Sequence, residues 1–210
     1  MNQAQIQFLV RLTRSHPKLG IALFLVLAVI GGFQAYYAYS PPHQIAALIS
    51  PAKLAALGER AANPRVQKYV AILEDARLSG RDPSVVAADA VEIAGLRGEI
   101  AALTAEAMLR NRIIAERLGC LAASGLQEMR EGRAPTVQKG PYKGDKLSVD
   151  HIIPLSVVPG LDKVIANLEL MPLRMNQTKH AKMGARQMDL LKKLQCAGLA
   201  VGNALLAEDP

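Results

Sequence analysis

The sequence predicts a mainly α protein in three parts: a long apolar helix near the N-terminus, an Ala-rich helical region, and a small strand–strand–helix unit towards the C-terminus. Three observations carry this. Half of the 210 residues are apolar, Trp is absent, and Tyr and Phe number only five and three, a balance that favours helices over a β-sandwich. Residues 19–38 form an almost unbroken apolar run. After residue 146 the hydrophobic period changes from helical to two. The length suits one ordinary domain with appendages.

The first element is "LGIALFLVLAVIGGFQAYYA" (19–38), in which Gln34 is the single polar residue. A helix of that length reaches ~30 Å, the thickness of a bilayer's hydrocarbon core. Arg11, Arg14 and Lys18 precede it with no acidic residue among them, Pro17 sits where a helix can begin, and Tyr36 and Tyr37 match an interfacial aromatic belt. The expectation is a transmembrane anchor, with a basic cytoplasmic segment 1–18 and the rest of the chain periplasmic or extracellular. The alternative is a signal peptide and a secreted product. Against it, cleavage after Ala38 would put the bulky Tyr36 where a small residue is normal. Export would permit a disulfide between the two cysteines, Cys120 and Cys196, which have no metal-ligand spacing.

Residues 40–130 read as a helical region. "SPPHQ" is a linker signal, and Asn63-Pro64 and Asp82-Pro83 are cap-then-proline helix starts. From Pro83 a long helix is expected to about Leu118. Val86, Ile93, Ile100, Ala107, Ile114 and Leu121 recur every seven residues, with Leu96 and Leu103 on a second seam. Asp89 and Arg110 interrupt that second seam, and Gly95 and Gly98 weaken the helix by about 1 kcal/mol each relative to Ala. The 83–118 helix is either a stalk for a homo-oligomer or an amphipathic helix packed on its own neighbours.

"EGRAPTVQKGPYKGDK" (131–146) is a Gly-, Pro- and Lys-rich loop. Beyond it, Leu147, Val149, Ile152 and Ile153 flank an Asp150-His151 pair on a short strand, "PGLDKVIA" (159–166) is a turn, "NLELMPL" (167–173) is a second strand, and residues from Met175 onward have helical composition. Between 130 and 193 there are twelve Lys/Arg against six acids, so nearly all of the net charge of +7 lies there. Such a basic half suggests a polyanionic partner, a nucleic acid or an anionic membrane.

Asp150-His151-Ile152-x-Pro154, followed by Asn167-Leu168 and Asn176-x-x-Lys179, resembles the signature of the HNH endonucleases, the ββα-metal or His-Me finger family. The matched elements span about 146–190, within a nuclease domain placed at 131–200. The resemblance implies phosphodiester hydrolysis, of DNA before RNA, with little sequence specificity. It makes His151 the general base, Asp150 and Asn176 the ligands of a divalent metal, and Asn167 the residue that orients the His-bearing segment. Imidazole titrates near pH 6.5 in model peptides, so a histidine can take a proton from water at neutral pH. A hard cation such as Mg²⁺, with Mn²⁺ the alternative, suits oxygen donors. Lys179, His180, Lys182 and Arg174 are the candidate contacts to nucleic acid.

Family members with a structural zinc carry paired cysteines where this chain has Pro172 and Met175, so no structural zinc is expected. Adjacent strand residues point to opposite faces, so Asp150 and His151 can serve one site only if the strand ends or bulges there. The rival functional expectations are an inactive nucleic-acid-binding finger on a membrane-anchored helical oligomer, and an oligomer in which the helices are the main functional part.

Overall fold

The computed structural model describes residues 17–179 and 181–199 and contains two compact units, 1–40 and 41–210. In the first unit helix α1 spans Pro17–Ala38. Along it Ile21, Phe24 and Val29 are exposed. Among the described residues no helix is long and apolar enough to cross a membrane. The transmembrane anchor expected over 19–38 is corrected on that ground.

The second unit runs through α2 (Pro41–Ile49), α3 (Pro51–Ala55), α4 (Asn63–Leu78), α5 (Pro83–Ile93), α6 (Gly98–Arg117) and α7 (Ala123–Arg130). It continues with strand β1 (Leu147–His151), two short 3-10 turns, β2 (Leu168–Pro172), α8 (Leu173–Thr178) and α9 (Ala185–Cys196). The prolines of "SPPHQ" open α2 and do not form a linker, because the first turn of a helix needs no proline N–H. Asp82 caps α5, its carboxylate accepting from the Ser84 N–H at 2.8 Å and the Ser84 hydroxyl at 2.7 Å. Asn63, by contrast, lies inside α4, whose N-cap is Ala62.

The long helix expected from Pro83 to Leu118 is two helices. Gly95 (φ 82°) ends α5 in the left-handed region, with its N–H on Glu92 O and the Leu96 N–H on Val91 O, both at 3.0 Å. This is a Schellman closure, and Gly98 (φ 60°) opens α6 just beyond it. The seven-residue seam is thereby divided: Val86 and Ala107 are buried in the chain's own core while Ile93 is 44% exposed. The continuous 83–118 stalk does not exist.

The main core joins α2, α4, α5, α6 and α7 through Ile45, Tyr69, Leu73, Val86, Met108 and Met129, and continues without interruption into Leu147, Leu168 and Leu170 of the strands. A two-stranded sheet is marginal alone. Here the helices satisfy its edges. Asn111 of α6 donates to Leu168 O at 3.0 Å and accepts from the Leu170 N–H at 2.9 Å, and Gln67 of α4 donates to Leu147 O at 3.3 Å. A second, smaller core (Ile153, Val158, Leu161, Ala166, Leu191, Leu194) seats the β1–β2 connection and α9.

Both cysteines are free, Cys120 buried and Cys196 exposed, so the expected Cys120–Cys196 disulfide is absent. Burial pushes the Cys120 thiol up to about 11. Its surroundings are the main core, whereas Cys196 ends a surface helix.

Glu74 of α4 is buried and accepts from Arg77 at 2.7 and 2.9 Å and from Arg112 at 2.8 Å. Burial pushes its carboxyl up, but the hydrogen bonds and charges of the two guanidinium groups together outweigh burial and hold it below 4.5. A folded-state value below the unfolded one stabilises the fold fully above about pH 4.5 and ceases to do so as pH falls through the folded value. Glu74→Gln is therefore expected to lower the melting temperature at neutral pH and to flatten its decline on the acid side. Parallel curves for the two proteins would contradict this.

Candidate active site

β1 and β2 are antiparallel, with Asp150 opposite Glu169 and His151 opposite Leu168. The helix after β2 is short. The single helix expected from Met175 is corrected to α8, which ends at Thr178 with Lys179 in extended geometry, and α9, which begins at Ala185 with Gly184 as its cap. Asn176 thus lies within α8. Glu169 faces a second carboxylate across the ladder, an unfavourable pairing unless compensated. Arg110 Nε at 3.1 Å and the Arg186 guanidinium neutralise Glu169, and Lys179 neutralises Asp150.

Strand alternation places Ser148 and Asp150 on one face of β1. The Ser148 hydroxyl donates to Met171 O at 3.0 Å, so towards Asn176 it can only accept. The amide nitrogen of Asn176, 3.2 Å away, must face it, and the amide oxygen is left for another partner. Asp150 Oδ2 pairs with Lys179 Nζ, which also donates to His151 O at 2.9 Å. Lys179 is therefore held against Asp150, where a phosphate contact had been expected.

His151 is the last residue of β1 and is buried, and its ring leaves the Asp150 face as the pleat requires. Its Nε2 lies 3.1 Å from Asp162 O and 3.2 Å from Asp162 Oδ1. A backbone carbonyl only accepts, so the contact assigns a proton to Nε2. The strand ends here because the chain turns into the connection, with the Ile152 N–H on Asn167 O at 2.8 Å.

Asn167 is fully buried and bonds across that connection. Its Oδ1 accepts from the Ile153 N–H at 2.8 Å, and its Nδ2 donates to Ile153 O at 3.1 Å and Leu161 O at 3.4 Å. Asn167→Ala strands several of these groups at about 1–3 kcal/mol each. We expect it to lose about 2–4 kcal/mol of stability, read from its urea midpoint. A shift under 1 kcal/mol would show that the clamp is dispensable.

Arg174 is exposed and engaged by Asp145 (N–H to Oδ2, 2.8 Å; Nε to Oδ2, 3.4 Å) and by the face of Tyr142 at 5.8 Å. Lys182 is exposed, and His180 lies outside the described residues. Sequence reasoning missed Asp162 and Ser148. An Asp in a Pro-Gly turn looks like a turn-former, and a strand Ser carries no chemical signal of its own.

Among the described residues no group of three or more His, Cys, Asp and Glu side chains is placed to hold a metal ion. Asp150 and Asn176 nevertheless offer a carboxylate and a free amide oxygen on one face of β1. An oxygen-only set of this size fits a hard divalent cation that retains several waters, and does not fit zinc. Neither Pro172 nor Met175 can supply a thiolate. No family model matches the chain, and no curated protein and no solved structure matches it either.

Proposed function

We propose that this protein is a metal-dependent endonuclease of the HNH type, hydrolysing phosphodiester bonds in nucleic acid, DNA before RNA, with little sequence preference. The observation that carries the reading is the setting of His151. Its Nε2 is tied to the Asp162 carbonyl, which leaves Nδ1 to accept a proton at the end of a strand whose other face carries Asp150 and Ser148, with Asn176 of α8 bonded to Ser148.

In this reading His151 Nδ1 takes the proton of the attacking water. Asn167 holds the segment that carries the ring. Asp150 and Asn176 would hold the cation, which when bound neutralises charge on the phosphate and assists the leaving oxygen. Lys179 keeps Asp150 neutralised until then. Exposed cations such as Lys139, Lys143 and Lys182 support contact with phosphates, which fixes position without reading bases.

The test is nicking of supercoiled plasmid by the full-length chain with Mg²⁺ or Mn²⁺, stopped by EDTA, with binding that weakens steeply as salt rises. A second reading is a nucleic-acid-binding finger without hydrolysis, and the Asp150–Lys179 pair favours it, since that carboxylate already has a cation. Salt-sensitive binding without nicking in either metal would decide for the second.

A further inference from the structure

We infer that Asp162, itself set by the backbone of Arg60, is a positioning residue that selects the tautomer of His151. The inference rests on the nuclease reading for its consequence, and on geometry for its existence.

Asp162 is 8% exposed, and its side chain faces two groups. Oδ2 accepts from the Arg60 N–H at 3.0 Å. Oδ1 is buried without a well-aligned hydrogen bond and stands 3.2 Å from His151 Nε2. A buried carboxylate oxygen needs a donor, and the imidazole N–H is the one it faces. That proton is therefore placed on the Asp162 carbonyl at 3.1 Å, with the carboxylate oxygen beside it at 3.2 Å as a second, poorly aligned acceptor.

Arg60 is, among the described residues, the one non-glycine with positive φ (54°). An L-residue adopts that conformation at some cost, and here it aims an N–H at Asp162. Lys163, the next residue, is latched to the same segment, its ammonium donating to Leu57 O and to Ala55 O. Residues 55–60 of the helical region thus grip the connection beside the ring they orient.

The relay makes an unusual ordering of variants. In Asp162→Asn the Arg60 N–H selects the amide oxygen, which turns the NH₂ group towards Nε2. A donor there opposes Nε2–H and favours Nδ1–H, removing the lone pair that takes the proton. An Asp-to-Asn change beside a catalytic histidine is known to act this way in the serine-protease triad. In Asp162→Ala the backbone carbonyl remains and keeps Nε2–H. We expect nicking to fall by roughly 100-fold in Asp162→Asn, and by less than about 10-fold in Asp162→Ala. A merely structural role predicts the reverse, since Asn is isosteric and keeps the Arg60 bond.

The deciding readout is independent of cleavage: ¹⁵N shifts of the His151 ring in the full-length chain, assigned by their loss in His151→Gln. Nε2–H in the wild type and a substantial Nδ1–H population in Asp162→Asn support the relay. An unchanged tautomer in Asp162→Asn, or Ala more damaging than Asn, overturns it. Should Asp162→Asn not fold, Nδ1–H as the main wild-type form overturns it alone. If the wild type cleaves nothing, the nuclease reading fails while the ring spectra still decide the relay.

Discussion

His151→Ala is expected to lower plasmid nicking by about 10²–10⁴-fold, the range that a positioned general base contributes. The fold should survive. The backbone bonds at the end of β1 do not involve the ring, and the ring's described polar contacts are to Asp162. Removing it leaves one buried carboxylate oxygen without its facing donor, at about 1–3 kcal/mol against a typical total of about 5–15 kcal/mol. Nicking rate and thermal midpoint, measured on the same preparation, separate chemistry from folding. A variant that keeps a tenth or more of the wild-type rate would remove His151 from the mechanism.

The largest effect on stability should come from Asn111→Ala. Three of the four hydrogen-bonding positions of this fully buried amide are used: Nδ2 donates to the Tyr69 hydroxyl oxygen at 2.6 Å and to Leu168 O at 3.0 Å, and Oδ1 accepts from the Leu170 N–H at 2.9 Å. Truncation leaves three buried groups without partners and a small void, a loss of roughly 3–5 kcal/mol. The urea midpoint should fall with little change in slope. Asn111→Leu fills the volume without bonding and should recover little. Recovery to near wild type would show that packing, and not the amide, matters there.

These two residues also show what could and could not be read in advance. The strand pair was legible because alternation is local: Leu147 and Val149 share one face with Leu168 and Leu170, and their spacing alone says so. The Asp82 cap was legible for the same reason, since its partner Ser84 is two residues away. Asn111 was not, because its partners lie 42 to 59 residues distant. Asp162 looked like a turn residue until Arg60, 102 residues earlier, was found beside it. The helix break at Gly95 escaped because a seven-residue period runs straight through it. Two glycines cost a helix only about 2 kcal/mol in total, so local propensity did not settle the matter. The cysteines could not be judged from spacing, because only packing separates a core thiol from one on a surface helix.

By itself, the sequence determined the strand, turn and strand order around Asp150 and His151, the basic excess of the C-terminal half, and the residue types available for chemistry. Those properties depend on neighbours along the chain. Only the tertiary structure decided that Nε2 of His151 faces the Asp162 carbonyl, that Lys179 neutralises Asp150, and that helical side chains complete the edges of a sheet too small to stand alone. Each of these depends on groups that approach within hydrogen-bond distance only after folding, from positions 11 to 80 residues apart, where periodicity and propensity carry no information.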